Sequence, residues 1–440
     1  MVYLPHFPIS SHKSISRDSC EKLLPILEKL GNPQNCLPPV IQIAGTNGKG
    51  STAAFLASIF KCSGYKAHVY TSPHIHHCNE RIVIAGNQID DNYLYETLEE
   101  VRLACDELNQ NSYDINLTLF EGLTLAALLA FSKNPADICI IETGMGGRVD
   151  ATNVIDRKIA TILTSISLDH QEFLGDNLFS IACEKSYIMR EGVPCIISPQ
   201  SDAALLAIET RSKEIKNPLI IFNRDFGIKM NDDETFNFQN SNGVKFDNLS
   251  KPSLLGWHQY LNASLAIGAV SLLKDFNISK ENISAGLKEV NWASRLEKLP
   301  NKILDSNDEL WIDGAHNQSG FEVLSDWISD KIIEDSTNEE PKRNYLIVGF
   351  TNQKSKPELF IPFKDIIDFI CTVRVDVEPS PESAEAILEK VLASGVEEVV
   401  KQDDLEGAIK FLKNLDKKNP CRIVICGSLY LAREARKITS

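Results

Sequence analysis

Strand-length runs of apolar residues recur along this chain with almost no polar interruption: VIQIAG (40–45), AHVYTS (67–72), ADICIIET (136–143), IATILTSI (159–166), PCIISP (194–199) and PLIIF (218–222). A strand that is apolar on both sides must be covered on both, and helix-length stretches such as STAAFLASIFKCSG (51–64) and 118–133 separate the runs. That alternation predicts an α/β fold around a mainly parallel sheet. Residues 224–252 are polar, with short alternating pieces, and are expected to form antiparallel strands at an edge. Around Trp292–Lys302 the pattern resets. Pro300 and the polar stretch 301–309 read as a linker, and the charged segment 330–343 as a loop. A second α/β series follows: ELWIDGA (309–315), NYLIVGF (344–350), IDFICTVRV (367–375), VEEVV (396–400) and CRIVICG (421–427). A chain of 440 residues exceeds one ordinary domain. We therefore expect a larger domain over 1–297 and a smaller, Rossmann-like α/β domain over 298–440, with the cleft between them as the default ligand site.

The first apolar run leads directly into Gly45-Thr46-Asn47-Gly48-Lys49-Gly50-Ser51-Thr52. Glycines let a backbone turn tightly enough for several N–H groups to point at one phosphate, and a helix beginning near Ser51 adds its positive end. Lys49 is placed to reach the β- and γ-phosphates of ATP. The strict Walker A spacing fails, because Ile43 stands where the first glycine belongs and Gly50 follows the lysine. A turn that merely packs a helix on a sheet is the alternative, and the strand–turn–lysine–helix order argues against it. Ser72, His74, Glu142, Asp169 and His170 all follow predicted strands, where open parallel sheets place ligands. A carboxylate, a hydroxyl and an imidazole around phosphate oxygens suit Mg²⁺, which keeps few protein ligands. Each taken alone also reads as a cap, a strand-end acid or a surface histidine.

Composition narrows the partners. The formal net charge is −15 with no long Lys/Arg block, which argues against nucleic acid. Eleven cysteines, irregularly spaced and without a C-x-x-C pair, fit free thiols in a reducing compartment. The most apolar helix candidate, LTLAALLAF (123–131), is too short to cross a bilayer, so no membrane partner is expected. Residues 1–17 carry Lys13 and Arg17 without an acid, a faint transit-peptide pattern. A short N-terminus on a cytoplasmic enzyme is the preferred reading, with a minor mitochondrial pool as the alternative.

Nine ordered motifs carry a more specific likeness: AGTNGKGST (44–52), TSPHIHHCNERI (71–82), LFEGLTLAA (119–127), IETGMGGRVDATNV (141–154), SLDHQEFLG (167–175), ACEKSYI (182–188), GWHQYLNASLA (256–266), WASRLEKL (292–299) and IDGAHN (312–317). From about Glu21 to CGSLYLA (426–432) the chain resembles the dihydrofolate synthase and folylpolyglutamate synthase branch of the Mur ligases. The resemblance implies a P-loop ATPase domain and a C-terminal ligase domain. Its chemistry would be phosphorylation of an acceptor carboxylate by ATP, followed by attack of the glutamate amine on the acyl phosphate. Position by position, it implies that Gly45 to Ser51 hold phosphates, with Asn262, Arg295 and Asp313 around the nucleotide. Ser72, Glu142, His170 and a carbamylated Lys185 would bind two Mg²⁺ ions. Lys49, Lys185 and His316 would serve catalysis. Thr118, Phe120, Glu121, Asp150 and Ala151 would contact the pterin, although Phe120 reads equally as a core residue.

Two departures stand out. The family's Gly-Leu-x-Arg-Ile opening is not recognisable before Glu21, and WASRLE replaces the usual Pro-Gly before the linker arginine. GNPQN (31–35), CGSLYL (426–431) and Asn47, where eukaryotic polyglutamate enzymes tend to carry lysine, resemble fungal-type dihydrofolate synthases. The expected reaction therefore joins L-glutamate to 7,8-dihydropteroate, in a monomer. The alternatives are a folylpolyglutamate synthase or bifunctional enzyme acting on tetrahydrofolates, and a nucleotide-binding regulatory protein without catalysis. A P-loop kinase is disfavoured because it needs no IDGAHN-type second domain.

Overall fold

The computed structural model describes residues 19–111, 113–300, 303–337, 341–351, 354–376 and 380–439. The N-terminal stretch 1–17, read above for a targeting signal, lies outside them. Two compact units are present. The first runs to Ser253 and includes Trp257–Asn291, and the second comprises Leu254–Gly256 and the chain from Trp292. The division thus falls before the expected 297/298 boundary, because the segment after Asn291 already pairs with the second unit's sheet.

Among the described residues the first unit holds an eight-stranded sheet: β1 (Val40–Ala44), β2 (Ala67–Tyr70), β3 (Ile82–Ile84), β4 (Asn87–Gln88), β5 (Ile138–Glu142), β6 (Ala160–Leu163), β7 (Cys195–Ile197) and β8 (Leu219–Ile221). Its order is β4-β3-β2-β5-β1-β6-β7-β8, parallel except for the β2-β3-β4 edge. β1 lies between β5 and β6, so connections leave it in opposite directions. The carboxyl end of β1 is therefore the switch point at which such sheets bind ligands. Residues 224–252 contribute β9 (Phe226–Met230), β10 (Phe236–Asn240) and β11 (Lys245–Leu249), which form a separate antiparallel sheet of three strands rather than an edge of the large one.

The second unit carries β12 (Glu297–Lys298), β13 (Glu309–Ile312), β14 (Arg343–Val348), β15 (Phe369–Thr372), β16 (Val399–Lys401) and β17 (Cys421–Cys426), in the order β12-β13-β17-β14-β15-β16. Only β12 runs antiparallel to its neighbour. Along β14, Leu346 and Val348 enter one apolar cluster while Tyr345 and Ile347 enter another. Alternate side chains point to opposite faces, so both faces of this sheet are covered, as unbroken apolar strands require.

Two elements were not anticipated. A hairpin, β3-β4, precedes the helix Asp91–Gln110, which begins where the Asp90 side chain accepts from the Tyr93 amide at 2.9 Å. Leu94, Leu98, Val101 and Cys105 line its buried side. The helix Gln318–Asp335 also extends into the segment expected to be a loop from residue 330. The alternation of charged and apolar residues there is a helix face, with Trp327 and Ile328 buried and Ile333 exposed.

Candidate active site

The turn after β1 is shaped by what surrounds it. Gly45 has φ +150°, and a Cβ there would lie 1.8 Å from Thr164 Oγ1, just beyond β6. Gly48 has φ +89°, and a Cβ there would lie 2.3 Å from Asn262 Oδ1. Only glycine satisfies both backbone and space at these positions. The Thr46 and Asn47 amides donate to Ser165 O at 2.7 and 3.2 Å, fastening the turn to the segment after β6. The helix Lys49–Cys62 starts two residues before the expected Ser51, and Gly50 and Ser51 are buried in its first turn. Lys49 folds back over the turn, with Nζ donating to Gly45 O at 3.2 Å and Thr46 O at 3.1 Å. Asn262, buried on the helix Trp257–Val270, donates to Gln259 Oε1 at 3.0 Å. Its side chain lies against the phosphate loop at Gly48.

Glu142 ends β5 with 3% exposure, and its Oε2 accepts from the Ser72 amide at 3.1 Å. These two candidate cation ligands meet. Lys185, on the helix Leu178–Ser186, reaches the phosphate loop, where Nζ donates to Gly45 O at 2.7 Å. Burial, reinforced by the Lys49 ammonium, lowers its pKa to about 7. His170 adopts a left-handed φ of 49° before the short helix Gln171–Leu174, with Nε2 3.8 Å from Asp169 Oδ2. Among the described residues, no three His, Cys, Asp or Glu side chains converge into a cage for a metal ion. The candidate set is of a different kind: a serine, one carboxylate, one imidazole and a lysine.

The residues expected to contact a pterin are more occupied than the sequence suggests. Thr118 and Glu121 form a capping box on the helix Leu119–Lys133. The Thr118 amide donates to Glu121 Oε2 at 2.7 Å, and the Glu121 amide to Thr118 Oγ1 at 3.3 Å. Lys22 pairs with Glu121 Oε2 at 2.8 Å, an ion pair with no signal in the local sequence. Asp150 is buried and accepts from the Met145 amide, the Thr152 amide and the Thr152 hydroxyl at 2.8, 3.0 and 2.5 Å. Burial pushes its carboxyl pKa up against these bonds. Ala151 belongs to the core. The Phe120 ring lies over Gly144, where a Cβ would be 2.5 Å from Cζ, and it also packs on the core. Phe120 thus has the core character that the sequence also allowed.

In the second unit, Asp313 follows β13, and each of its carboxylate oxygens accepts from a backbone amide. Oδ1 accepts from the Ala315 amide at 2.8 Å and Oδ2 from the Leu296 amide at 2.9 Å. Burial raises its pKa, and the Arg295 charge opposes that rise. Arg295 Nη1 donates to Ser294 O at 2.8 Å, and the His316 ring nitrogen Nδ1 lies 2.8 Å from Gly314 O. The Ala-Ser that replaces Pro-Gly has a visible cost. Ser294 takes a left-handed φ of 59°, and its hydroxyl is buried with no hydrogen-bond partner among the described residues.

Comparison with known proteins agrees with this architecture. Residues 43–270 match the Mur ligase middle domain model, and residues 295–437 match the model described as dihydrofolate synthetase, C-terminal domain. The dihydrofolate synthetase of Saccharomyces cerevisiae is 33% identical, over 95% of this chain and 96% of its own. The dihydrofolate synthase/folylpolyglutamate synthase of Bacillus subtilis is 31% identical, over 94% and 93%. Among solved structures, E. coli FolC in complex with DHPP and ADP superposes with a TM-score of 0.82 at 26% identity, covering 97% of this chain and 95% of that one.

Proposed function

Since this chain belongs to the dihydrofolate synthase and folylpolyglutamate synthase family of Mur ligases, we propose that its acceptor is a pteroyl acid and that its range includes reduced folates as well as dihydropteroate. It is an ATP-dependent acid–amino-acid ligase of folate metabolism that adds glutamate. The breadth of the acceptor range rests on the Bacillus relative, whose name carries both activities. A narrower reading, dihydropteroate alone, is favoured by the C-terminal model and the yeast relative.

The observation that carries the chemistry is the convergence of Lys49, Lys185 and Asn262 on one glycine turn. Lys49 would follow negative charge on a transferring phosphoryl group, which lowers the barrier to forming an acyl phosphate. Ser72, Glu142, His170 and Lys185 would hold Mg²⁺. A divalent cation there supplies charge neutralisation for phosphate oxygens. The donor set fits such an ion only if Lys185 loses its positive charge. Its lowered pKa near 7 leaves a free amine to react with CO₂, giving a carbamate. In the second unit Arg295, Asp313 and His316 are proposed as nucleotide contacts. Around the acceptor, Thr118, Glu121 and Asp150 shape the wall through the chain's own hydrogen bonds, leaving Phe120 to face the flat ring. A cytoplasmic setting is part of the same proposal, motivated by the free cysteines.

Purified protein with ATP, Mg²⁺, glutamate and either dihydropteroate or tetrahydrofolate tests this. Both acceptors should stimulate ADP release, and Lys49→Ala should abolish turnover with each. Stimulation by dihydropteroate alone would establish the narrower reading.

A further inference from the structure

Lys185 reaches Gly45 from the last turn of the helix Leu178–Ser186, and the carbonyls just beyond that turn need donors from elsewhere. Two cations supply them. Arg190 Nη1 donates to Tyr187 O at 2.9 Å and Met189 O at 3.2 Å, and Lys158 Nζ donates to Ile188 O at 2.9 Å. Both cations also meet Asn153 Oδ1 at 3.0 Å, while Asn153 Nδ2 donates to Tyr187 O at 3.3 Å. Asn153 lies at the end of the run that begins with Glu142. The same run touches the helix once more. The Arg148 amide donates to Glu184 O at 3.0 Å, and a Cβ on Gly147 would lie 2.7 and 2.8 Å from the Glu184 and Lys185 carbonyl oxygens. The loop bearing Glu142 and the helix bearing Lys185 are therefore bolted together at two points.

Lys158 is the unusual member. It is 6% exposed, its two hydrogen bonds go to an amide oxygen and a backbone carbonyl, and Arg190 stands beside it. Both of its acceptors are uncharged, and the carboxylate nearest the hub, Asp156, is engaged by Arg190 Nε at 3.2 Å.

We propose that Asn153, Lys158 and Arg190 are positioning residues for Lys185, setting the place of its amine against the phosphate loop and so the affinity of the cation site. The proposal rests on the reading of Lys185 as part of that site. Partners that orient a metal ligand from behind are worth roughly ten- to a hundred-fold in metal affinity.

The test follows acceptor-dependent ADP release across a Mg²⁺ titration for the wild type, Asn153→Ala, Lys158→Met and Lys185→Ala, with Mg²⁺-free binding of a fluorescent ATP analogue measured in parallel. Asn153→Ala and Lys158→Met should raise the half-saturating Mg²⁺ about ten-fold or more, with analogue affinity unchanged. Should Lys158→Met not fold, Arg190→Lys replaces it, keeping a charge but losing the fork. If Lys185→Ala shifts the Mg²⁺ requirement and the hub variants do not, the positioning role is wrong. If Lys185→Ala itself leaves the requirement unchanged, the cation-site reading fails first. A hub variant that loses analogue binding and Mg²⁺ response together acts only on folding, which also overturns the inference.

Discussion

Ser294 stands in a left-handed conformation that costs most side chains about 1–2 kcal/mol, and it buries a hydroxyl with no hydrogen-bond partner among the described residues. Replacing it by glycine removes both penalties, at an entropic cost of roughly 0.5–1 kcal/mol. Ser294→Gly should therefore raise stability by about 1 kcal/mol or more, read as a higher denaturant midpoint with unchanged slope. A loss of stability would mean that the hydroxyl has a partner in solution. At this scale the sequence was most legible where one residue type answers one constraint. The tight turn at Gly45 and Gly48 could be read from the order of strand, glycines, lysine and helix, although the spacing departs from Walker A. Glu121 was legible only in part: its capping bond to Thr118 is a local pattern, whereas its ion pair with Lys22 joins segments far apart in sequence.

His68 shows how an element's end can carry pH dependence. It sits on β2, stacks on Phe131 with ring centroids 4.6 Å apart, and its Nε2 lies 3.0 Å from Asn134 O at the end of the helix Leu119–Lys133. Its Nδ1 accepts from the Ala85 amide at 3.1 Å, so the ring is neutral with its proton on Nε2. Burial lowers its pKa below 6.5. The unfolded chain therefore takes up this proton first, and stability is retained above pH 6.5 and lost as pH falls through the folded value. Between pH 7 and pH 5 the wild type should lose stability that His68→Gln does not, measured by urea titration at each pH. Equal pH slopes for the two proteins would remove His68 as the cause. The central strands and the helices Lys49–Cys62 and Leu119–Lys133 were legible at this scale because apolar runs are local signals, whereas the β3-β4 hairpin and the end of Gln318–Asp335 were not. The separate β9-β10-β11 sheet was not, since an alternating pattern gives strands but not which sheet they join.

For the molecule as a whole, the net charge of −15 opposes the approach of anionic substrates, so attraction has to be local, as at Lys49 over the phosphate loop. Added salt screens the long-range repulsion more than the contacts of partly buried groups. Raising ionic strength from low to physiological values should thus leave kcat/KM for ATP unchanged or increase it. A steep fall would show that steering by an unrecognised positive field dominates. The two α/β units were legible because each has its own series of apolar strands. Their limits were less so, since β12 begins the second sheet within a stretch that carries no apolar run. The phosphate loop has one more consequence, concerning how this sequence can drift. Thr164 and Asn262 press on Gly45 and Gly48 from outside, so the turn is a cast taken from its neighbours. Substitutions that enlarge either neighbour should be purged as firmly as changes to the glycines themselves, and a survey of tolerated variants would find four restricted positions where a motif records two.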